Sequence, residues 1–436
     1  MELSRFNIIS RIKDSEEYFI VNALYGNADI IDAISYRNLM EGRITGGEFA
    51  ERGYLVDPES EKKRFREAYL QFLDERETDE LQLFFIPGYS CNLNCSYCYQ
   101  ADYTATGSSA GHDVAEAFFS YIDDFFAGRS KYITLFGGEP LMPGKSRKSF
   151  ISRFLAGAAS RGIAVSIVTN GYHVCDYIDI LKGSNLREVQ VTLDGTSDVH
   201  NSRRPHKSGK ASFDRIVKGI DLLLENEIPV NLRVVIDREN IGNLPGLAEF
   251  AIKRGWTRSG AFTTQLGRNY ELHGCQADRK RLYSRIEMYA ALYKMIREFP
   301  VIKEFHRPSF SVSRHLYETG ELPAPLFDSC PGTKTEWAFD FTGAIYACTA
   351  TAGKTGEELG RFFPERAMFE ETAEEWSERD ILSIKECREC NLSLLCGGGC
   401  AAVAKNRNGR VLDPDCRPVR ELLEMGISAY FGDTHI

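Results

Sequence analysis

Ten of the twelve cysteines in this chain fall at short, definite spacings. Cys91, Cys95 and Cys98 form C-x3-C-x2-C, and Cys330, Gly343 and Cys348 form C-x12-G-x4-C. Cys387, Cys390, Cys396 and Cys400 form C-x2-C-x5-C-x3-C, with Cys416 alone after them. In a small secreted protein such a set would read as disulfides. A chain of 436 residues with a formal net charge of −9 and no apolar leader points instead to metal ligation and a cytoplasmic setting. The first residues, Met1 to Phe6, alternate polar and apolar, unlike a secretory signal. No apolar run approaches the ~20 residues of a membrane span. The acidic balance argues against a nucleic-acid partner held by a broad basic surface. Cys175 lies in the apolar segment 174–178 and reads as core filler. Cys275, beside Gly274 and Gln276, stays open as a ligand.

The chain divides by pattern. Residues 1–80 look like a small unit: 6–12 and 18–24 are β-prone and flank a turn, and Phe65, Ala68, Tyr69, Phe72 and Leu73 follow helical spacing. From residue 81 strands alternate with helices. Strands are expected at 81–86, 132–136, 163–168, 188–193 and 230–236, with amphipathic helices between them, such as the one marked by Phe213, Val217, Ile220 and Leu224. Repeated β–α units imply a parallel sheet with right-handed crossovers. This α/β region runs to about residue 300 and is followed by a connector, 301–325, punctuated by prolines. Residues 326–436 are rich in cysteine and glycine, and metal rather than a large apolar core is expected to organise them.

Cys91, Cys95 and Cys98 directly follow the first strand of the α/β region, at the end where parallel folds place their chemistry. Three thiolates can wrap a [4Fe–4S] cubane and leave one iron for an outside ligand. A zinc ion completed by a distant residue is the alternative from spacing alone. The second strand then delivers Gly137-Gly138-Glu139-Pro140, the third Thr169-Asn170-Gly171, and the fourth Thr192-Leu193-Asp194-Gly195.

The cysteine loop, with Tyr97 before its last cysteine, and the GGEP segment after the next strand resemble the radical S-adenosylmethionine (SAM) enzymes. That resemblance implies a partial (β/α)6 barrel over residues 81–300. It implies a [4Fe–4S] cluster whose open iron is chelated by SAM, and reductive cleavage of SAM to a 5′-deoxyadenosyl radical that takes hydrogen from substrate. By the same resemblance Gly137, Gly138, Glu139 and Pro140 hold the SAM amino group and Tyr97 sits near the adenine. Thr192 approaches the ribose or carboxylate, and Arg215 is a candidate for the carboxylate. An electron donor such as a flavodoxin or ferredoxin is implied as well.

The seven later cysteines resemble the SPASM extension, which implies two auxiliary [4Fe–4S] clusters. Carried over by position, Cys387, Cys390, Cys396 and Cys416 ligate one, and Cys330, Cys348 and Cys400 hold the other. Sulfatase-maturing relatives carry one further cysteine six residues upstream of the first, where this chain has Ala324. The fourth iron of that cluster therefore has no assigned ligand; it either stays open to substrate or takes Cys275.

SPASM enzymes mostly modify peptides or proteins. The segments 19–24, 28–32 and 53–57 make the first 80 residues resemble the small winged-helix α+β domain with which ribosomal-peptide maturases bind a leader peptide by β-augmentation. Sulfatase-maturing enzymes place an aspartate after the second auxiliary cysteine; here Thr349 follows Cys348. The expectation is a maturase that installs a thioether or carbon–carbon cross-link in a precursor peptide with a leader. The alternative is a SPASM enzyme that oxidises a small molecule or a folded protein side chain. His200 and His206, around Arg203 and Arg204, read as a solvated loop.

Overall fold

The computed structural model describes residues 1–102, 109–269 and 280–432. The chain opens with a three-stranded antiparallel meander: β1 (Asn7–Arg11), β2 (Tyr18–Asn22) and β3 (Asn27–Ile31), with β2 central. Helix α1 (Ala33–Met40) follows, capped by Asp32, whose carboxylate accepts from the Ser35 amide. A short helix at Glu48–Glu51 precedes α2 (Pro58–Thr78), which has Asp57 as N-cap and Pro58 in its first turn. Glu2–Leu3 pairs antiparallel with Leu55–Val56, between the short helix and α2, so the first 80 residues form an α+β unit.

Six parallel strands then follow: β4 (Leu81–Ile86), β5 (Lys131–Leu135), β6 (Ala164–Thr169), β7 (Leu186–Thr192), β8 (Val230–Ile236) and β9 (Phe262–Arg268). They pair in sequence order, each neighbour parallel. Helices such as α3 (His112–Phe125), α4 (Lys145–Ala159) and α5 (Phe213–Glu225) return the chain between them. This is the partial (β/α)6 barrel. Alternation along the strands separates two faces. Leu83, Phe85, Ile133, Leu135, Val165, Ile167, Val189, Val191, Leu232 and Val234 are buried under the helices in one continuous core. The opposite face carries the lumen.

β9 is the strand that sequence periodicity did not mark. Its residues, FTTQLGR, are at most half-buried because it is the edge of the sheet. At the other edge the sheet does not stop with the barrel. β10 (Glu336–Asp340) adds parallel to β4, and β11 (Ala344–Tyr346), β12 (Glu358–Arg361) and β13 (Ala367–Met368) continue antiparallel, giving ten strands in the order β9-β8-β7-β6-β5-β4-β10-β11-β12-β13.

The cysteine-rich region has more apolar core than its composition suggests. Phe327, Ile381, Ile384, Leu394, Leu395 and Leu423 form one cluster with Phe6, Ile8, Phe19 and Val21 of the N-terminal unit. Two segments more than 300 residues apart thus complete each other's interior, which neither could signal alone. Among the described residues no helix is long and apolar enough to cross a membrane.

Candidate functional site

The cysteine loop is held from behind by a segment far away in sequence. Asn94 N–H donates to Pro205 O at 2.8 Å, Ser96 N–H to Arg203 O at 3.0 Å, and Lys207 N–H to Asn92 O at 2.9 Å. His200, Arg203 and Arg204 are 0%, 3% and 7% exposed, so the expected solvated loop is instead a buried brace; His206 is half-buried, its ring 4.6 Å from that of Tyr172. Tyr97 Oη donates to Asp194 Oδ2 at 2.5 Å and accepts from Arg204 Nη1 at 2.5 Å. Asp194 also accepts from Val235 N–H at 3.0 Å and pairs with Arg203 at 3.4 Å. Arg281 braces the loop from the far side through Ser96 Oγ at 2.9 Å.

The GGEP segment packs on the strand-to-loop turn that carries the cysteines. A Cβ on Gly138 would overlap the carbonyl oxygens of Tyr89 and Ser90, and one on Gly137, whose φ is +132°, would meet Gly88 O at 2.7 Å. Gly138→Ala is therefore expected to displace the cysteine loop and lower iron incorporation several-fold, while Gly260→Ala, where a Cβ meets no atom within 4 Å, leaves iron content unchanged; iron assay of the purified variants checks this. Glu139 is 2% exposed and acts inward. Its carboxylate accepts from Thr169 Oγ1 at 2.7 Å, Asn170 N–H at 2.7 Å and Leu141 N–H at 2.8 Å, tying the turns after β5 and β6 together. Burial pushes its pKa up against those hydrogen bonds. Pro140 is buried beside it.

These turns enclose a cavity of about 270 Å³. Cys91, Cys95, Cys98, Tyr97, Gly137, Gly138, Thr192 and Arg204 line it, with Thr349 and Ala350 opposite. Arg215 is placed elsewhere: its guanidinium donates to Tyr172 O at 2.6 Å and pairs with Asp176 at 2.5 Å. The cations that line the cavity are Arg204, Arg233 and Arg268, and Arg204 is the one bound to Tyr97 beside the cysteines. Sequence reading passed over it because its partners, Tyr97 and Asp194, are brought to it only by the fold.

The three cysteine sets converge separately. Burial, then the charge of Glu139, pushes the Cys91 thiol up to about 11, with Cys95 adding to it, and Cys98 in turn raises Cys95 after burial. Cys330, Cys348 and Cys400 pack together around Ala347 and Trp376. Burial drives Cys348 well above the ordinary thiol range, with Glu336, Cys330 and Cys400 adding to it. Cys387, Cys390, Cys396 and Cys416 form the third group, and burial followed by the other three sulfurs raises Cys387 to about 12. Thiolates so crowded and buried are stabilised when iron neutralises them. No three His, Cys, Asp or Glu side chains among the described residues close around a single metal ion. The eleven described cysteines are all free, and Cys275 lies outside the described residues. Arg379, 0% exposed, stitches the loop between the second and third sets by donating to the carbonyls of Gly398, Gly399, Val411 and Asp413 at 2.8 to 3.2 Å.

The residues around the first set suit a cluster with a polar ligand on its open side. Among the described residues, Arg204 Nε and Gln100 Nε2 are buried donors without a partner at the cavity, and Gly137 and Gly138 line it too. Residues 85–251 match the radical SAM superfamily. The chain carries a radical SAM domain. Fold likeness extends further: SuiB from Streptococcus suis, solved with S-adenosylmethionine and with the precursor peptide SuiA, aligns over 96% of this chain and 99% of its own. The TM-scores are 0.54 and 0.53 at 14% and 15% identity. The PqqA peptide cyclase of Granulibacter bethesdensis is 25% identical over 364 residues, 78% of this chain and 88% of that protein. The serine-type anaerobic sulfatase-maturating enzyme of Klebsiella aerogenes is 27% identical over 172 residues, 38% of this chain. That match spans 42% of the Klebsiella protein, less than half its length.

Proposed function

We propose that this protein is a radical SAM peptide maturase with a SPASM-type C-terminal region, acting on a leader-bearing precursor peptide. The observation that carries the reading is the convergence of three separate cysteine sets, the first at the mouth of the GGEP cavity and the second beside its opposite wall. A reduced [4Fe–4S] cluster with bound SAM supplies the hydrogen-abstracting 5′-deoxyadenosyl radical. The chain's own work is to hold and screen. Cys91, Cys95 and Cys98 ligate the cluster, and the Gly137–Gly138 backbone offers a close approach for the SAM amino group. Thr192 and Arg204 would hold the SAM carboxylate, and Tyr97, fixed between Asp194 and Arg204, would hold the adenine. Cys330, Cys348 and Cys400 hold one auxiliary cluster, and Cys387, Cys390, Cys396 and Cys416 the other.

Support for a peptide comes from the N-terminal unit and from two relatives named for peptides. Among the described residues β3 is paired on one side only, to β2, so an extended leader can add to its other edge. The relatives are the PqqA peptide cyclase and SuiB, solved with its precursor. Formylglycine formation by the sulfatase route is disfavoured by Thr349 at the position after Cys348.

The test is co-expression with a short peptide encoded beside the gene, followed by mass spectrometry of that peptide. Loss of hydrogens in pairs, dependent on Cys91, Cys95 and Cys98, is the expected result. An unchanged peptide mass with an iron-loaded, SAM-cleaving enzyme would overturn the peptide reading in favour of a small molecule or folded protein.

A further inference from the structure

Arg233 sits at the middle of β8 on the lumen face, between Leu232 and Val234, which are buried under the helices. It lines the same cavity as the first cysteine set. Its guanidinium lies across Gly267 of β9, where a Cβ would stand 3.1 Å from Nη2, so a missing side chain makes its berth. Nη1 donates to Gln265 Oε1 over a long 3.4 Å, and Gln265 is itself held by Gln190 Nε2 at 2.9 Å. Among the described residues no carboxylate pairs with Arg233 within 4.0 Å. The neighbouring cations are matched: Arg203 meets Asp194 and Asp237, and Arg281 meets Asp237 and Glu239. A guanidinium has five donors in a planar fork, and here one long bond is its only polar contact among the described residues.

Two carboxylates could fill that fork, the one on SAM and one on the substrate. Arg204 is the cation whose charge acts on Cys95, Cys98 and Glu139, and its own buried Nε is without a partner, so it is the better placed for the cofactor. Arg233 points the other way, toward Gln265 and Gln190.

We propose that Arg233 is a specificity residue that receives the carboxylate of an aspartate or glutamate in the peptide segment entering the lumen. This rests on the peptide-maturase reading and names its substrate class: a core segment with an acidic side chain at, or next to, the modified position. The planar fork takes both carboxylate oxygens, and an amide side chain there loses the charge. Thr349 and Ala350, which directly follow Cys348, line the same cavity, so the acidic residue would lie in a space that both the first and second cysteine sets adjoin.

The experiment selects an mRNA-displayed library, in which the constant leader of the peptide encoded beside the gene precedes fifteen random residues, on full-length, iron-loaded enzyme with SAM. Wild type is expected to enrich Asp or Glu at one position about tenfold or more, the worth of one charge-assisted hydrogen bond. Arg233→Gln should erase that preference and Arg233→Glu should turn it toward Lys or Arg. The same two variants are examined by electron paramagnetic resonance for the shift that SAM causes in the reduced cluster signal. Acidic enrichment that survives Arg233→Gln would place the carboxylate site elsewhere and overturn the proposal. A SAM-induced shift lost in Arg233→Gln would assign the guanidinium to the cofactor and overturn it too. Peptides enriched by wild type without an acidic position would refute this inference alone, whereas no enriched peptide at all would refute the peptide reading and this inference with it.

Discussion

Replacing Cys91, Cys95 and Cys98 together by alanine is expected to abolish formation of 5′-deoxyadenosine from SAM and dithionite while leaving about two-thirds of the iron in place. The first outcome follows from the site: among the described residues the cavity offers those three sulfurs and no histidine or further cysteine to replace them. The second follows from separation. The later sets are assembled on different scaffolding, with Cys330, Cys348 and Cys400 packed around Ala347, Trp376 and Ala401, and Arg379 fixing the glycine loop between them and the last set. Nothing in that scaffolding uses the 91–98 loop, which is braced by residues 203–207 instead. Chromatography of the reaction and an iron assay of the variant read the two quantities independently. Residual 5′-deoxyadenosine would mean that another set of cysteines binds SAM; loss of nearly all iron would mean that the sets assemble cooperatively.

How much of this site the sequence discloses depends on whether its signal is local. Cys91, Cys95 and Cys98 announce themselves because one loop supplies all three ligands, and Gly137-Gly138 because close backbone approach tolerates no side chain. The five strands from Leu81 to Ile236 are legible because one face of each is continuously apolar under the helices. β9 was not, since an edge strand facing the lumen needs no such face. Arg215 drew attention by position, but its chemistry is spent on Asp176 and Tyr172. Arg203 and Arg204 looked like solvent-facing charge, and only the fold brings them to Asp194 and to Tyr97, 107 residues away. Polar residues at a site built from several strand ends are matched through space, and a single sequence carries no periodicity for that match.

Phe327→Ala is expected to destabilise the protein by about 3–5 kcal/mol and to loosen both ends of the chain at once. Phe327 is fully buried, with its ring 5.2 Å from Phe65, 5.2 Å from Tyr69 and 5.5 Å from Phe72 of α2. It stands three residues before Cys330, and Ile381 N–H donates to its carbonyl at 2.9 Å. The same interface is tied by Tyr69 Oη to Asp380 at 2.7 Å, Arg420 Nη1 to Ile9 O at 3.2 Å and Lys13 N–H to Glu424 O at 3.3 Å. Cys387 and Cys396 belong to the apolar cluster that Phe327 completes. On the proposed reading, iron held by the last cysteine set would stabilise the N-terminal sheet, and that sheet would in turn shield the set from water. Hydrogen exchange of Phe327→Ala should show faster exchange in β2 and α2 together with the segment 381–396, while β5 and β6 keep their protection. Urea unfolding gives the size of the effect. Were only the 381–396 segment to loosen, the N-terminal unit would stand on its own core, and the apolar contact across the interface would be incidental to its fold.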